Sequence, residues 1–327
     1  MFLLIFLRLA FLAALAKSHG SHSQVFLADQ PSPAAQRIFR ELPSGRSFLL
    51  NVPAAYNAAI SYPLVLSFHG AGGTSESQET RSQLSDPELR IAGLPFLTVY
   101  PQGVNNSDWN ITRIWKGAPY ANDSVDDIQF IKDIIADVSS NFTIDPSRKY
   151  ASGKSNGGGL TALLACRHDT TSLFAAFAPV SPALYPGTLA FSHCDPVRPV
   201  PIYHAHGILD VVTSYYGRGP LEPGYGPEPD VRVWRRQWAE RNGCKGETGT
   251  LPEPDEVFHP HVNTTEEIWH CQGAEVRALT IDYLGHSWPT TEGLDPSGSP
   301  NHVATFNFTH QHLVQFFSSH QLPAEYL

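Results

Sequence analysis

Short apolar strands alternate with amphipathic helices through nearly the whole chain, which predicts an α/β fold built on one mostly parallel, doubly wound sheet. A second observation agrees. Gly153-Lys154-Ser155-Asn156-Gly157-Gly158-Gly159 joins an apolar run ending Lys149-Tyr150-Ala151-Ser152 to a helix-like run from Leu160 to Cys166. Strand, glycine-flanked serine and helix in that order is how a sheet presents a nucleophile at its carboxyl end. Third, 42% of the 327 residues are apolar and 16% charged, enough to bury a large core. No repeat, Ser/Thr/Pro linker or appended module interrupts the pattern, so residues 17–327 read as one catalytic domain.

The first 16 residues read differently. They are apolar from Phe2 to Ala16 except for Arg8, and Ala14-Leu15-Ala16 supplies small residues for cleavage. This is a secretion leader, with a cut after Gly20 as the alternative. Four cysteines suit an oxidising compartment. Six N-x-S/T sequons, at Asn105, Asn110, Asn122, Asn141, Asn263 and Asn307, suit a glycosylated, extracellular surface. No later apolar run offers a membrane anchor. A formal charge of −9 without any Lys/Arg cluster argues against a nucleic-acid partner.

Taken in order, residues 46–52, 63–68 and 95–100 read as the first strands. The second is nearly continuous in apolar residues, as in a strand covered on both faces. Residues 124–142 form the clearest helix, with Val125, Ile128, Ile131, Ile135 and Val138 on one stripe. Asp123 or Ser124 is expected to cap it, with Asp126 and Asp127 in its first turn. Beyond the serine turn come strands at 173–180 and 199–206, a helix at 230–242, a strand at 276–284 and a helix at 307–319.

A serine hydroxyl needs a base, and the base an orienting carboxylate. In this architecture the partners follow in the order acid, then histidine, each after a strand. Six aspartates lie between Ser155 and His286. Asp169, Asp195, Asp230 and Asp255 fall at helix ends or connections, and Asp282 inside a strand. Asp210 follows the strand at 199–206 through Gly207-Ile208-Leu209. Of 15 histidines, His286 sits where a strand gives way to the loop Gly285-His286-Ser287-Trp288-Pro289. His204 and His206 share one strand face without a third ligand, so they read as packing or site-lining residues and not as a metal pair. An oxyanion needs two backbone N–H groups. Asn156 is one. Ala71 is the other, with Gly70 or Gly72 as alternatives, in His69-Gly70-Ala71-Gly72-Gly73, which resembles the HGGG-type loop of lipases and esterases.

These segments, with Val125-Asp126-Asp127-Ile128 and His206-Gly207-Ile208-Leu209-Asp210, occur in the order found in a known group. Over residues 46–317 the chain resembles the secreted serine esterases that include fungal feruloyl esterases, acetyl xylan esterases and polyhydroxybutyrate-depolymerase-like proteins. The resemblance implies an α/β-hydrolase fold, the triad Ser155, Asp210 and His286, no cofactor and no metal. It also implies hydrolysis of esters on plant cell-wall polysaccharide or of small phenolic esters, feruloyl esters first. Two departures stand out: Lys154 occupies a position where these proteins commonly carry an uncharged residue, and the segment after Trp109 lacks cysteines that many relatives have. The reading of another class is a non-catalytic binding protein on the same fold.

Topology places all four cysteines at the end of the sheet away from Ser155, with Cys166–Cys194 and Cys244–Cys271 the simplest pairs. Tyr215, Tyr216, Tyr225, Trp109, Trp115 and Trp288 are expected around the site, several of them as core residues instead.

Overall fold

Strands covered on both faces read as continuous apolar runs, and such runs make the centre of the sheet. In the computed structural model, which describes residues 35–107, 110–191, 193–219 and 226–327, the central strands are β3 (Tyr62–Phe68), β4 (Leu97–Pro101), β7 (Ile144–Lys154), β8 (Ala176–Val180), β9 (Ile202–Gly207) and β12 (Glu275–Ile281). Of these, β3, β4, β8 and β9 are buried along their whole length, whereas β7 and β12 also carry charged residues. These six are mutually parallel in the order β4-β3-β7-β8-β9-β12. Antiparallel strands extend both edges: β1 (Gln36–Glu41) and β2 (Ser47–Val52) beyond β4, then β11 (Thr264–His270) and β10 (Glu256–Phe258) beyond β12. A separate hairpin, β5 (Val104–Asn106) with β6 (Ile111–Ile114), lies outside this sheet. The described residues belong to one compact unit. The leader expected at residues 1–16 lies outside them.

Successive side chains of each strand enter two cores. Leu64, Leu66 and Phe68 join one with helices α2 (Asp127–Asn141), α3 (Asn156–Cys166) and α4 (Val231–Arg241). Val65, Tyr100, Tyr203 and Leu279 join the other, under Leu313, Phe316 and Phe317 of the terminal helical segment that ends in α5 (Val314–Ser318). Helices thus cover both faces, which is the doubly wound arrangement expected.

Several boundaries differ from expectation. The helix expected at 124–142 starts at Asp127, because Asp126 caps it by accepting from Gln129 N–H at 2.9 Å. Asp127 is not a solvated first-turn charge: it is buried, accepts from Lys116 N–H at 2.7 Å and pairs with Arg46 at 2.9 Å. Helix α1 (Ser75–Ser82) left no apolar signature, since the residues it buries are Ser75, Gln78 and Ser82. Disulfides join Cys166 to Cys194 and Cys244 to Cys271. Among the described residues, no helix is long and apolar enough to cross a membrane.

Candidate active site

β7 ends at Lys154 and α3 begins at Asn156, so Ser155 alone makes the turn. It does so at φ 57° and ψ −121°, a left-handed conformation that costs a non-glycine residue ~1–3 kcal/mol. Its surroundings hold it there. Ser155 N–H donates to Val180 O at 3.0 Å, while Ser155 O accepts from Gly159 N–H at 2.8 Å and Ala183 N–H at 2.9 Å. The flanking glycines serve close approach: a Cβ on Gly153 would lie 2.4 Å from Gly157 O, and one on Gly157 2.3 Å from Phe68 O. The positive φ falls on the serine itself.

His286 and Asp210 stand on the loops after β12 and β9. His286 Nδ1 donates to Asp210 Oδ2 at 2.8 Å, which leaves Nε2 as the basic nitrogen. Asp210 Oδ1 accepts from Val212 N–H at 2.9 Å and Thr213 N–H at 2.8 Å, and Oδ2 also accepts from Thr213 Oγ1 at 3.0 Å. Burial works to raise the Asp210 carboxyl, but the His286 charge and the His206 and His286 hydrogen bonds prevail and hold it well below 3.8. Burial, then the Lys154 ammonium, pushes His286 down to about 4 against the opposing pull of Asp210 and Asp295. The ring is therefore a neutral base at neutral pH. Among the described residues Ser155 Oγ makes no hydrogen bond to it, a contact that is often long before substrate arrives. Asp282 lies in the turn after Ile281 and not inside a strand. Strand-end position alone therefore does not single out Asp210; its bond to His286 does.

Asn156 is the first residue of α3, so its N–H is one of the donors a helix leaves unpaired. Its side chain is turned away, with Oδ1 accepting from Trp115 N–H at 2.8 Å. In the facing loop, Gly72 N–H is taken by Thr112 O at 3.0 Å and Gly73 N–H by Gly70 O at 2.9 Å. Gly70 presses on the nucleophile, where a Cβ would come 3.1 Å from Ser155 Cβ. Ala71 lines the cavity. Buried His69 braces this loop, with Nδ1 donating to Gly70 O at 2.8 Å and Nε2 accepting from Gly103 N–H at 3.0 Å. Burial lowers its pKa to about 4. Arg113 clamps the loop from outside, donating to Gly72 O at 2.6 Å and Gly73 O at 2.7 Å. Nothing in the sequence singled out Arg113, which acts across 40 residues.

Ser155 and His286 open into a cavity of about 1010 Å³. Ile111, Tyr120, Ala183 and Tyr185 form an apolar wall, with the two tyrosine rings edge to face at 6.0 Å. Ser77, Arg81 and Arg218 give a polar one. The aromatics expected here are elsewhere. Trp115 and Trp288 are fully buried, spending their indole N–H groups on His69 O and Thr309 Oγ1. Tyr215 is buried against Arg235 and Thr280, and exposed Tyr216 packs on Arg232. Trp109 and Tyr225 lie outside the described residues.

Lys154 is almost completely buried beside the nucleophile. Its Nζ pairs with Asp295 Oδ2 at 3.2 Å and donates to Ser297 Oγ at 2.6 Å. Burial depresses it to about 8 although Asp295 opposes the shift. Ser297 Oγ has Asp295 Oδ1 at 2.5 Å and His286 O at 3.0 Å as acceptors for its one hydrogen, and Asp295 Oδ2 accepts from Trp288 N–H at 3.1 Å. The departure noted in the sequence thus ties the serine turn to the histidine loop. His204 and His206 carry no third ligand, and no group of three metal-ligating side chains occurs among the described residues. Of the sequons, Asn105, Asn110, Asn141 and Asn263 are exposed, Asn122 and Asn307 half-buried, and Asn110 lines the cavity.

No family model matches the chain. It is similar to feruloyl esterase B of Piromyces equi, 28% identical over 74% of this chain and 42% of that one. It is also 33% identical to a bifunctional acetylxylan esterase/xylanase of Neocallimastix patriciarum, over 76% of this chain and 32% of that protein. A probable feruloyl esterase C of Aspergillus terreus is 29% identical over 71% and 72%. The chain thus spans less than half of the first two relatives. Among solved structures, an acetyl xylan esterase from Aspergillus awamori matches with TM-score 0.54 and 15% identity, covering 77% of this chain and 94% of that one. An S-formylglutathione hydrolase from Agrobacterium tumefaciens matches with TM-score 0.52 and 14% identity, over 89% and 96%. The fold is shared with both, and the resemblance read from the motifs is borne out by the curated relatives.

Proposed function

We propose that the chain is a serine carboxylesterase. Ser155 attacks the ester carbonyl while His286 Nε2 takes its proton and then delivers it to the leaving alcohol. Water, activated by the same ring, releases the acid from the acyl-serine. Asp210 orients His286 and balances the transient imidazolium, and the N–H groups of Ala71 and Asn156 receive the oxyanion. The single observation that carries this reading is Ser155, strained at φ 57°, sharing a cavity with a His286 that is bonded at 2.8 Å to buried Asp210.

The substrate we propose is a feruloyl ester of plant cell-wall polysaccharide, hydrolysed outside the cell by a secreted chain with its leader at 1–16 and one catalytic domain at 17–327. Relatives named as feruloyl esterases support it, as does the Tyr120–Tyr185 wall, which suits a planar phenolic acyl group. A deacetylase reading draws on the acetylxylan esterase relative. The reaction needs no cofactor, no nucleic acid and no membrane, and the sequons are proposed glycan sites. The test is kcat/KM on methyl ferulate or feruloylated arabinoxylan oligosaccharides, set against acetyl xylan and 3-hydroxybutyrate oligomers. Preference for the hydroxycinnamates is expected. Turnover of the others with none of these would remove the feruloyl assignment, and no turnover of any ester would favour a binding protein.

A further inference from the structure

Behind Asp210 lies a second polar chain that the reaction as described does not use. His206 Nε2 stands 3.1 Å from Asp210 Oδ2 and 2.9 Å from Thr213 O. Both are acceptors, so Nε2 carries a hydrogen. His206 Nδ1 is 3.4 Å from His204 Nε2. His204 Nδ1 accepts from Arg235 Nε at 2.8 Å, and a guanidinium has only donors to offer. With Nδ1 of His204 occupied as an acceptor, its hydrogen sits on Nε2 and points at His206 Nδ1. Burial, then the Arg235 charge, holds the His204 pKa well below 6.5, so the ring stays neutral. Arg235 is itself fully buried and held by Thr280 Oγ1 at 2.6 Å, Leu279 O at 3.2 Å and Glu267 at 3.2 Å.

Every hydrogen therefore points one way, from Arg235 through His204 and His206 to Thr213 O, and Thr213 in turn holds Asp210 with its own N–H and Oγ1. We propose that His206 is a positioning residue for Asp210, acting through Thr213 and fixed as an Nε2–H donor by Arg235 and His204. The proposal rests on the serine-esterase reading for its kinetic meaning, but the tautomer it assigns does not. The groups facing His206 are His204 on its own strand, Tyr215 edge-on at 5.8 Å and Asp210, with Arg235 of α4 reaching it through His204. Beyond Asp210 lie His286, Lys154, and Glu228 with its partner Arg218.

The first measurement uses the unmodified protein with 15N-labelled histidine. At neutral pH His206 should show a protonated Nε2 and an unprotonated Nδ1. The opposite tautomer, with Nδ1 protonated and Nε2 bare, overturns the proposal, whether or not the protein proves to be an esterase. The second compares His206→Phe, which keeps a ring and loses the donor, with His206→Gln, whose amide can donate from nearly the same place. His206→Phe should lower kcat on the order of 10-fold, the scale at which partners one step removed from a reactive group are felt. KM should hold, because His206 does not line the cavity. His206→Gln should recover most of the loss. Equal kcat in His206→Phe and wild type, or a change confined to KM, would refute the positioning role. Loss of Ser155-dependent hydrolysis in the wild type itself would instead refute the esterase reading.

Discussion

Lys154→Met removes the ammonium from a site where it is 2% exposed and its partner Asp295 is 0% exposed. At 3.2 Å and an effective dielectric of ~20, the attraction is about 5 kcal/mol before desolvation is counted. Removing one member of such a pair strands the other charge and typically costs ~3–5 kcal/mol. Arg81 stays 3.9 Å from Asp295 Oδ1 and offsets part of this, so the lower end, about 3 kcal/mol, is expected. The same change removes a positive charge that holds His286 down, while Asp295 still raises it. The acid limb of kcat/KM should therefore move to higher pH. Denaturant unfolding of Lys154→Met and of Lys154→Met/Asp295→Asn measures the first effect, because neutralising both partners should restore most of the stability. A pH–rate profile measures the second. If Lys154→Met unfolds within ~1 kcal/mol of wild type and its acid limb does not move, the pair is not what secures the histidine loop.

In the unmodified protein the acid limb should fall below the ordinary histidine value of 6.5, since His286 is held near 4; a limb at or above 6.5 would contradict the burial argument. His69, His286 and His312 all have folded-state values lowered to about 4, so they add stability that is present above pH 6.5 and lost as the pH falls toward 4. Acid titration of the melting temperature should show that decline. Replacing Cys244 and Cys271 by serine opens a loop spanning 27 residues and should cost roughly 3–4 kcal/mol, with kcat/KM unchanged. Asp210→Asn should lower kcat on the order of 10⁴-fold, because an amide can hold His286 in the wrong tautomer. Near-normal turnover in that variant would mean that another carboxylate orients the ring.

The parallel centre of the sheet was legible because strands buried on both faces must be continuously apolar, as Leu64-Val65-Leu66 and Phe177-Ala178 are. The edges were not. β11 runs Thr264-Thr265-Glu266-Glu267 and buries Glu266 by pairing it with Tyr203 at 2.6 Å, a compensation no local pattern encodes. Ser155 was visible in its glycine spacing, and Asp210 and His286 in their order after strands. What supports them was not. Arg113, Asp295 and Arg235 meet the site from distant positions in sequence, and each looks like an ordinary surface charge until the fold brings it to a partner. The cavity aromatics were misplaced for a related reason. Proximity in sequence to His286 suggested that Trp288 lines the site, but it is buried in the core, and Tyr120 and Tyr185 reach the cavity from separate loops instead.

The central claim is that Ser155 is the nucleophile, activated by His286 on Asp210. It is tested most directly by reacting the protein with a fluorophosphonate and mapping the adduct by peptide mass spectrometry beside an esterase assay on the same sample. The account predicts one adduct, on Ser155, formed in step with loss of activity, and none in Ser155→Ala, whose kcat should fall on the order of 10⁵–10⁶-fold. An adduct on another residue, or full activity in a protein labelled at Ser155, would contradict it.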